Sequence, residues 1–92
     1  GPSVAEQEAG LRFGVYLQAQ RIRAYELEHG SLPETLEDAG PSIPGVSYAV
    51  PAPGVYELTG ETDRARVTYR SNQPLREWVG AGADVLDEGL VP

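Results

Sequence analysis

The chain has 92 residues, one tryptophan, five tyrosines, no cysteine and a formal charge of -7. That length makes one domain with a modest core, and the lack of cysteine excludes a disulfide framework or a thiolate metal or redox site. The acidic balance opposes binding to nucleic acid phosphates or to an anionic membrane surface, and no run reaches the ~18 apolar residues that cross a bilayer.

Gly1-Pro2-Ser3 read as the scar of a cleaved purification tag, followed by a single domain over residues 4–92. Residues 4–29 predict one helix. They lack proline and are rich in Glu, Gln, Arg, Ala and Leu, which are good helix formers. Ser3 suits the N-cap, Glu6 and Glu8 sit where the helix dipole favours an acid, and Gly30 suits a left-handed C-cap. Gly10 and Gly14 each weaken the helix by about 1 kcal/mol relative to alanine, which predicts a bend or frayed start near Gly10.

The apolar residues of this helix form two stripes. At 3.6 residues per turn, Val4, Leu11, Val15, Ala19, Ile22 and Tyr25 share one face. Leu11, Val15, Ile22 and Tyr25 are its expected core contacts. Phe13, Leu17 and Ala24, with Tyr16 and Leu27 beside them, lie roughly opposite. One stripe is enough to seat a helix on a core. The second predicts either a cover from loops of the same domain or an assembly face for another protein.

Residues 31–45 predict a loop with a short helix that starts at Pro33, is pinned by Leu32 and Leu36, and ends at Gly40-Pro41. From residue 46 the apolar period changes to two. Residues 46–50, 55–59 and 65–70 read as strands, separated by the turns Pro51-Ala52-Pro53-Gly54 and Gly60-Glu61-Thr62-Asp63. Links this short predict an antiparallel meander over residues 46–70. Three strands need a cover on one face, and only the long helix is large enough. Residues 71–92 form a tail: Pro74 starts a turn over residues 75–79, Gly80 and Gly82 interrupt it, residues 83–88 form a second turn, and Trp78 anchors the tail. The fold class is therefore α+β: a long N-terminal helix packed on a three-stranded antiparallel meander, with a short C-terminal helical tail.

Little in the chain points to chemistry. The single histidine, His29, ends the long helix, where a positive charge is favourable, and reads as an exposed or capping group. There is no G-x-S-x-G elbow and no glycine-rich phosphate loop. Glu57, Glu61, Asp63 and Arg64 read as ordinary exposed charge. Asp84, Asp87 and Glu88 cluster in the tail and are the weak candidates for a hard cation. Their spacing does not match an EF-hand, and an acidic tail is the simpler reading, so no metal, cofactor or catalytic residue is assigned. Tyr48, Tyr56 and Tyr69 fall on the strands and predict a cross-strand cluster. With Trp78 they would be the contacts of an alternative function, a small module that recognises a peptide or glycan.

The helix end runs Ala24-Tyr25-Glu26-Leu27-Glu28-His29-Gly30-Ser31-Leu32-Pro33-Glu34-Thr35-Leu36. This resembles the junction of type IV pilins and type II secretion pseudopilins. There, a helix ending in an Ala-Tyr and Asn-Gly pattern meets Gly-x-Tyr/Leu-Pro-x-Thr/Ser-Leu. Ala24, Tyr25, Gly30, Leu32, Pro33, Thr35 and Leu36 match, and His29 stands in the Asn position. The close match covers about residues 20–38. The resemblance implies a non-catalytic structural subunit of a pilus or secretion pseudopilus, or a pilin-like envelope relative. It implies an apolar helical half ahead of Val4 that anchors the protein in the inner membrane, with this domain outside the cytoplasm. Partners would be pilin-like subunits or secretion machinery. The disulfide loop of many type IV pilins is impossible without cysteine, and the calcium-loop pattern of major pseudopilins is not recognisable in the tail.

Overall fold

A computed structural model of the chain describes residues 1–80. Helix α1 (Val4–His29) lies on a sheet of β1 (Val46–Ala52), β2 (Val55–Glu61) and β3 (Arg66–Arg70), and a short helix α2 (Leu75–Val79) follows. The sheet is antiparallel in the order β1-β2-β3. The fold is α+β, a long helix on a three-stranded meander.

The bounds of α1 follow from its ends. The Ser3 hydroxyl accepts the Glu6 N–H (3.1 Å) and the Glu6 carboxylate accepts the Ser3 N–H, a reciprocal capping box. Gly30 closes the helix at φ 76°, a left-handed conformation that glycine adopts without steric cost. No break or frayed start occurs at Gly10: α1 is continuous from Val4 to His29. A single glycine lowers helix propensity, but the turns on both sides carry it through.

One face of α1 packs on the sheet. Leu11, Val15, Ala19 and Ile22 are buried against Tyr56, Leu58, Val67 and Tyr69, and Leu36 closes one end of this core. Fully buried side chains such as Ile22 and Leu58 each contribute ~1.5–3 kcal/mol of transfer free energy. Between Leu11 and Ile22, α1 also buries Gln18, completely. The Gln18 carbonyl oxygen accepts the Ile43 N–H (2.7 Å), so this side chain ties the loop after α1 to the helix. The Gln18 amide nitrogen has no hydrogen-bond partner among the described residues.

The loop differs from expectation at Pro33. The short helix is a 3-10 turn at Leu36–Ala39, capped by Thr35 in a reciprocal box with Asp38. Pro33 lies ahead of it, buried, and its carbonyl accepts the Tyr48 hydroxyl (2.7 Å). Thr35 wins the capping role because its hydroxyl can accept an N–H, which proline cannot do. Two strands are longer than predicted, while β3 starts one residue later, at Arg66. β1 runs through Pro51 to Ala52, with an irregularity between Ala49 and Ala52. An edge strand tolerates proline because one side needs no ladder donor. β2 includes Gly60 and Glu61, which the sequence had placed in the turn.

Candidate functional site

Helix α1 presents its second apolar face away from the core. Phe13, Leu17 and Tyr16 on that side are half-buried, and Ala24 is exposed. Leu27 is 79% exposed, the largest value among the big apolar side chains described. The expected assembly residues Phe13, Leu17 and Ala24 therefore lie on a partly open face. Tyr25, expected in the core, is instead half-buried. Its ring stacks on that of His29, one turn on, at 4.1 Å between centroids. Leu11, Val15 and Ile22 are buried, while Val4 is 44% exposed. The first buried residue of α1 is Leu11, so apolar spacing alone does not bury Val4 in the first turn.

Polar contacts flank this face and fix its orientation. The Arg12 guanidinium lies 4.6 Å above the Trp78 ring and donates to the Trp78 carbonyl (2.6 Å). The indole N–H of Trp78 donates to the Thr68 carbonyl (2.7 Å), and its ring meets Tyr69 edge-on at 5.3 Å. Trp78 thus clamps the start of the tail to both α1 and β3. On the other flank, Arg21 donates to the Pro41 carbonyl.

The tyrosines form the expected cluster. Tyr48 and Tyr69 each stand 6.1 Å from Tyr56. Tyr56 and Tyr69 are buried under α1, however, and only Tyr48 and Trp78 stay half-exposed. Two of the four aromatics assigned to a ligand-contacting face are thus core residues, because β2 and the inner side of β3 are what the helix covers. Burial pushes the Tyr56 hydroxyl well above its usual titration range, with Tyr69 and the Glu26 carboxylate adding smaller effects. Tyr48 and Tyr69 shift the same way, chiefly by burial.

A groove of about 510 Å³ runs beside these rings, lined among others by Tyr16, Gln20, Arg23, Glu26 and Ser71. The Ser71 oxygen accepts the Tyr56 N–H (2.9 Å). His29 is exposed at the helix end and does not line the groove. Glu57, read from sequence as ordinary exposed charge, is half-buried and pairs with Arg70 directly across the ladder (2.9 Å). Among the described residues no three His, Asp or Glu side chains gather to hold a metal ion. Asp84, Asp87 and Glu88 lie outside the described residues.

No family model matches the chain, and neither a curated protein nor a solved structure matches it.

Sequence reasoning missed Gln18. Its position three residues after Val15 and four before Ile22 places it on the core stripe, and that spacing was the available signal. Gly60 was missed for a different reason: its role depends on how closely α1 approaches β2.

Proposed function

We propose that this domain is the non-catalytic, extramembrane part of a pilin-like protein. It would be a structural subunit of a pilus or secretion pseudopilus, or an envelope relative anchored in the inner membrane. The observation that carries this reading is the second face of α1. The core needs only the stripe from Leu11 to Ile22, yet Phe13, Leu17 and the exposed Leu27 supply apolar surface on other sides of the same helix. Surface of that kind is suited to burial against neighbouring subunits. The junction from Ala24 to Leu36 and the helix-on-meander fold support the same family.

In this reading the domain works by packing alone. An apolar helical segment ahead of Val4 holds it at the membrane, and its partners are similar subunits or secretion proteins.

The test uses the whole native gene, expressed in its own envelope. The chain has no cysteine, so Leu17→Cys and Leu27→Cys each introduce one thiol on the proposed face. Oxidative cross-linking should give dimers or ladders, while Thr68→Cys, exposed on β3, stays monomeric. A native gene with no apolar segment upstream, or equal cross-linking at all three positions, would overturn the proposal.

A further inference from the structure

Among the described residues the outer edge of β1 is open. Sheet order leaves β1 with one neighbour, β2. Glu61 N–H donates to the Gly45 carbonyl (2.8 Å), which makes these two a hydrogen-bonded pair. Bonded and non-bonded pairs alternate along an antiparallel ladder. Ser47 with Thr59 and Ala49 with Glu57 are then bonded pairs, and Tyr48 opposite Leu58 is not. The backbone N–H and C=O of Tyr48 therefore point to the edge. Val46 N–H points the same way and is taken by the Ile43 carbonyl (3.1 Å). The two Tyr48 groups have no partner among the described residues.

This edge lacks the usual protection. β1 reads Val-Ser-Tyr-Ala-Val-Pro-Ala, with no charge and with proline only near its end, whereas natural edges are commonly blunted by charged side chains. The opposite edge, β3, carries Arg66 and Arg70, and its Thr68 carbonyl accepts the Trp78 indole. Beside β1, towards the 3-10 turn, lies a pocket of about 260 Å³. Its walls are Leu36, Val46, Ser47 and Tyr48, with the acidic residues Glu34 and Glu37 and Thr35 between them. Both carboxylates are exposed, and neither has a cationic partner among the described residues.

We propose that the β1 edge docks an extended segment of a partner protein that carries Lys or Arg, by strand addition. The partner residue opposite Tyr48 exchanges two backbone hydrogen bonds with it. A neighbouring basic side chain enters the pocket, its stem on Leu36 and Val46 and its charge between Glu34 and Glu37. The irregularity after Ala49 and the missing N–H of Pro51 end the pairing, so the docked strand is short, about three to five residues. This inference stands on the edge and its pocket and does not rest on the pilin-like reading.

The test titrates the 15N-labelled full chain with the capped peptide Thr-Val-Lys-Val-Thr and with its counterpart bearing Glu in place of Lys. Amide shifts should concentrate at Val46, Tyr48 and residues 34–37, and exchange of the Tyr48 amide should slow. The Glu peptide should bind at least about tenfold more weakly. Glu34→Gln combined with Glu37→Gln should lower affinity for the Lys peptide about fivefold. N-methylation of the peptide's backbone should abolish binding to the unaltered chain, a readout that does not depend on how the double variant folds. Equal binding of the two peptides, or no change at Tyr48 up to about 1 mM peptide, would overturn the proposal. So would slowing of the Tyr48 amide with chain concentration alone, which would assign the edge to a second copy.

Discussion

α1 packs tightly over Gly60, and replacing it tests the packing directly. A Cβ at residue 60 would stand 3.2 Å from Val15 Cγ2 and 3.4 Å from both Cβ and Cδ2 of Leu11. None of these atoms can easily retreat. Val15 is fully buried and Leu11 nearly so, a β-branched side chain on a helix is stiff at χ1, and the Leu11 Cβ moves only with the helix backbone. The two further methyls of Gly60→Val must therefore lift α1 off β2. Overpacking of this kind costs ~1–3 kcal/mol, and with three added carbons the upper end applies. Removing glycine from a strand returns roughly 0.5–1 kcal/mol, so the net loss is about 2 kcal/mol. For a domain of this size that corresponds to a fall in Tm of roughly 8–16 °C. Thermal melts followed by circular dichroism measure it.

Gly10→Ala serves as the matched control. No atom lies within 4 Å of a Cβ there, and the position is inside α1, so stability should rise by ~0.8–1 kcal/mol from helix propensity alone. A Gly60→Val variant that melts with the parent would refute the close approach of α1 to β2, whatever happened at Gly10.

Three further outcomes follow from the same structure. Tyr56 holds its proton more tightly folded than unfolded, because burial penalises the charged form. Between the model-compound value of 10.0 and its raised folded value, the unfolded chain binds fewer protons, so stability falls as pH rises. Denaturant midpoints should be flat from about pH 7 to 9 and decline above about 10, with a weaker decline in Tyr56→Phe; a midpoint independent of alkali would contradict the burial. Trp78→Ala removes the indole bond to Thr68 and the contacts with Arg12 and Tyr69, and should cost ~2 kcal/mol by urea melts. Trp78→Phe should recover part of that loss. Ile22→Asp places a charge at a fully buried position and should unfold the domain by circular dichroism, whereas Leu27→Asp, at an exposed position, should change stability by less than ~0.5 kcal/mol. Loss of fold in Leu27→Asp would show that this face is already in use within the domain.

Local signals made much of the fold legible in the sequence. Ser3, Glu6 and Gly30 mark both ends of α1, and Pro74 with Gly80 frames α2. The alternation of Val46, Tyr48, Leu58, Val67 and Tyr69 with polar neighbours marks the sheet. What escaped depends on tertiary placement. Pro51 looks like a strand breaker until β1 is known to be an edge. Gly60 looks like a turn residue until α1 is known to press on it. Pro33 looks like a helix start because its alternative role, offering a carbonyl to Tyr48, involves a residue 15 positions away. The second face of α1 was legible as a stripe, but spacing could not say that Phe13 and Leu17 would be half-covered while Leu27 stood open.

The proportions of helix and sheet explain why α1 has surface to spare. At 1.5 Å per residue, the 26 residues of α1 extend ~39 Å. Its buried contacts run from Leu11 to Ile22, only ~16 Å of that length. α1 runs along β2, with Leu11 and Val15 over Gly60 and Ala19 to Glu26 beside Tyr56, and the seven residues of β2 extend only ~23 Å, so the sheet is shorter than the helix it supports. Beyond Ile22 the last turns of α1 carry no buried side chain: Leu27 stands open to solvent, and Gly30 caps that end. A helix needed only as a lid for this sheet could end within a turn of Leu11 and Ile22. The Gly30 cap that preserves the last turns, together with apolar side chains on the side the sheet does not reach, makes α1 extend past what this core requires. Further burial of Leu27 and its neighbours has to come from surface outside the described fold.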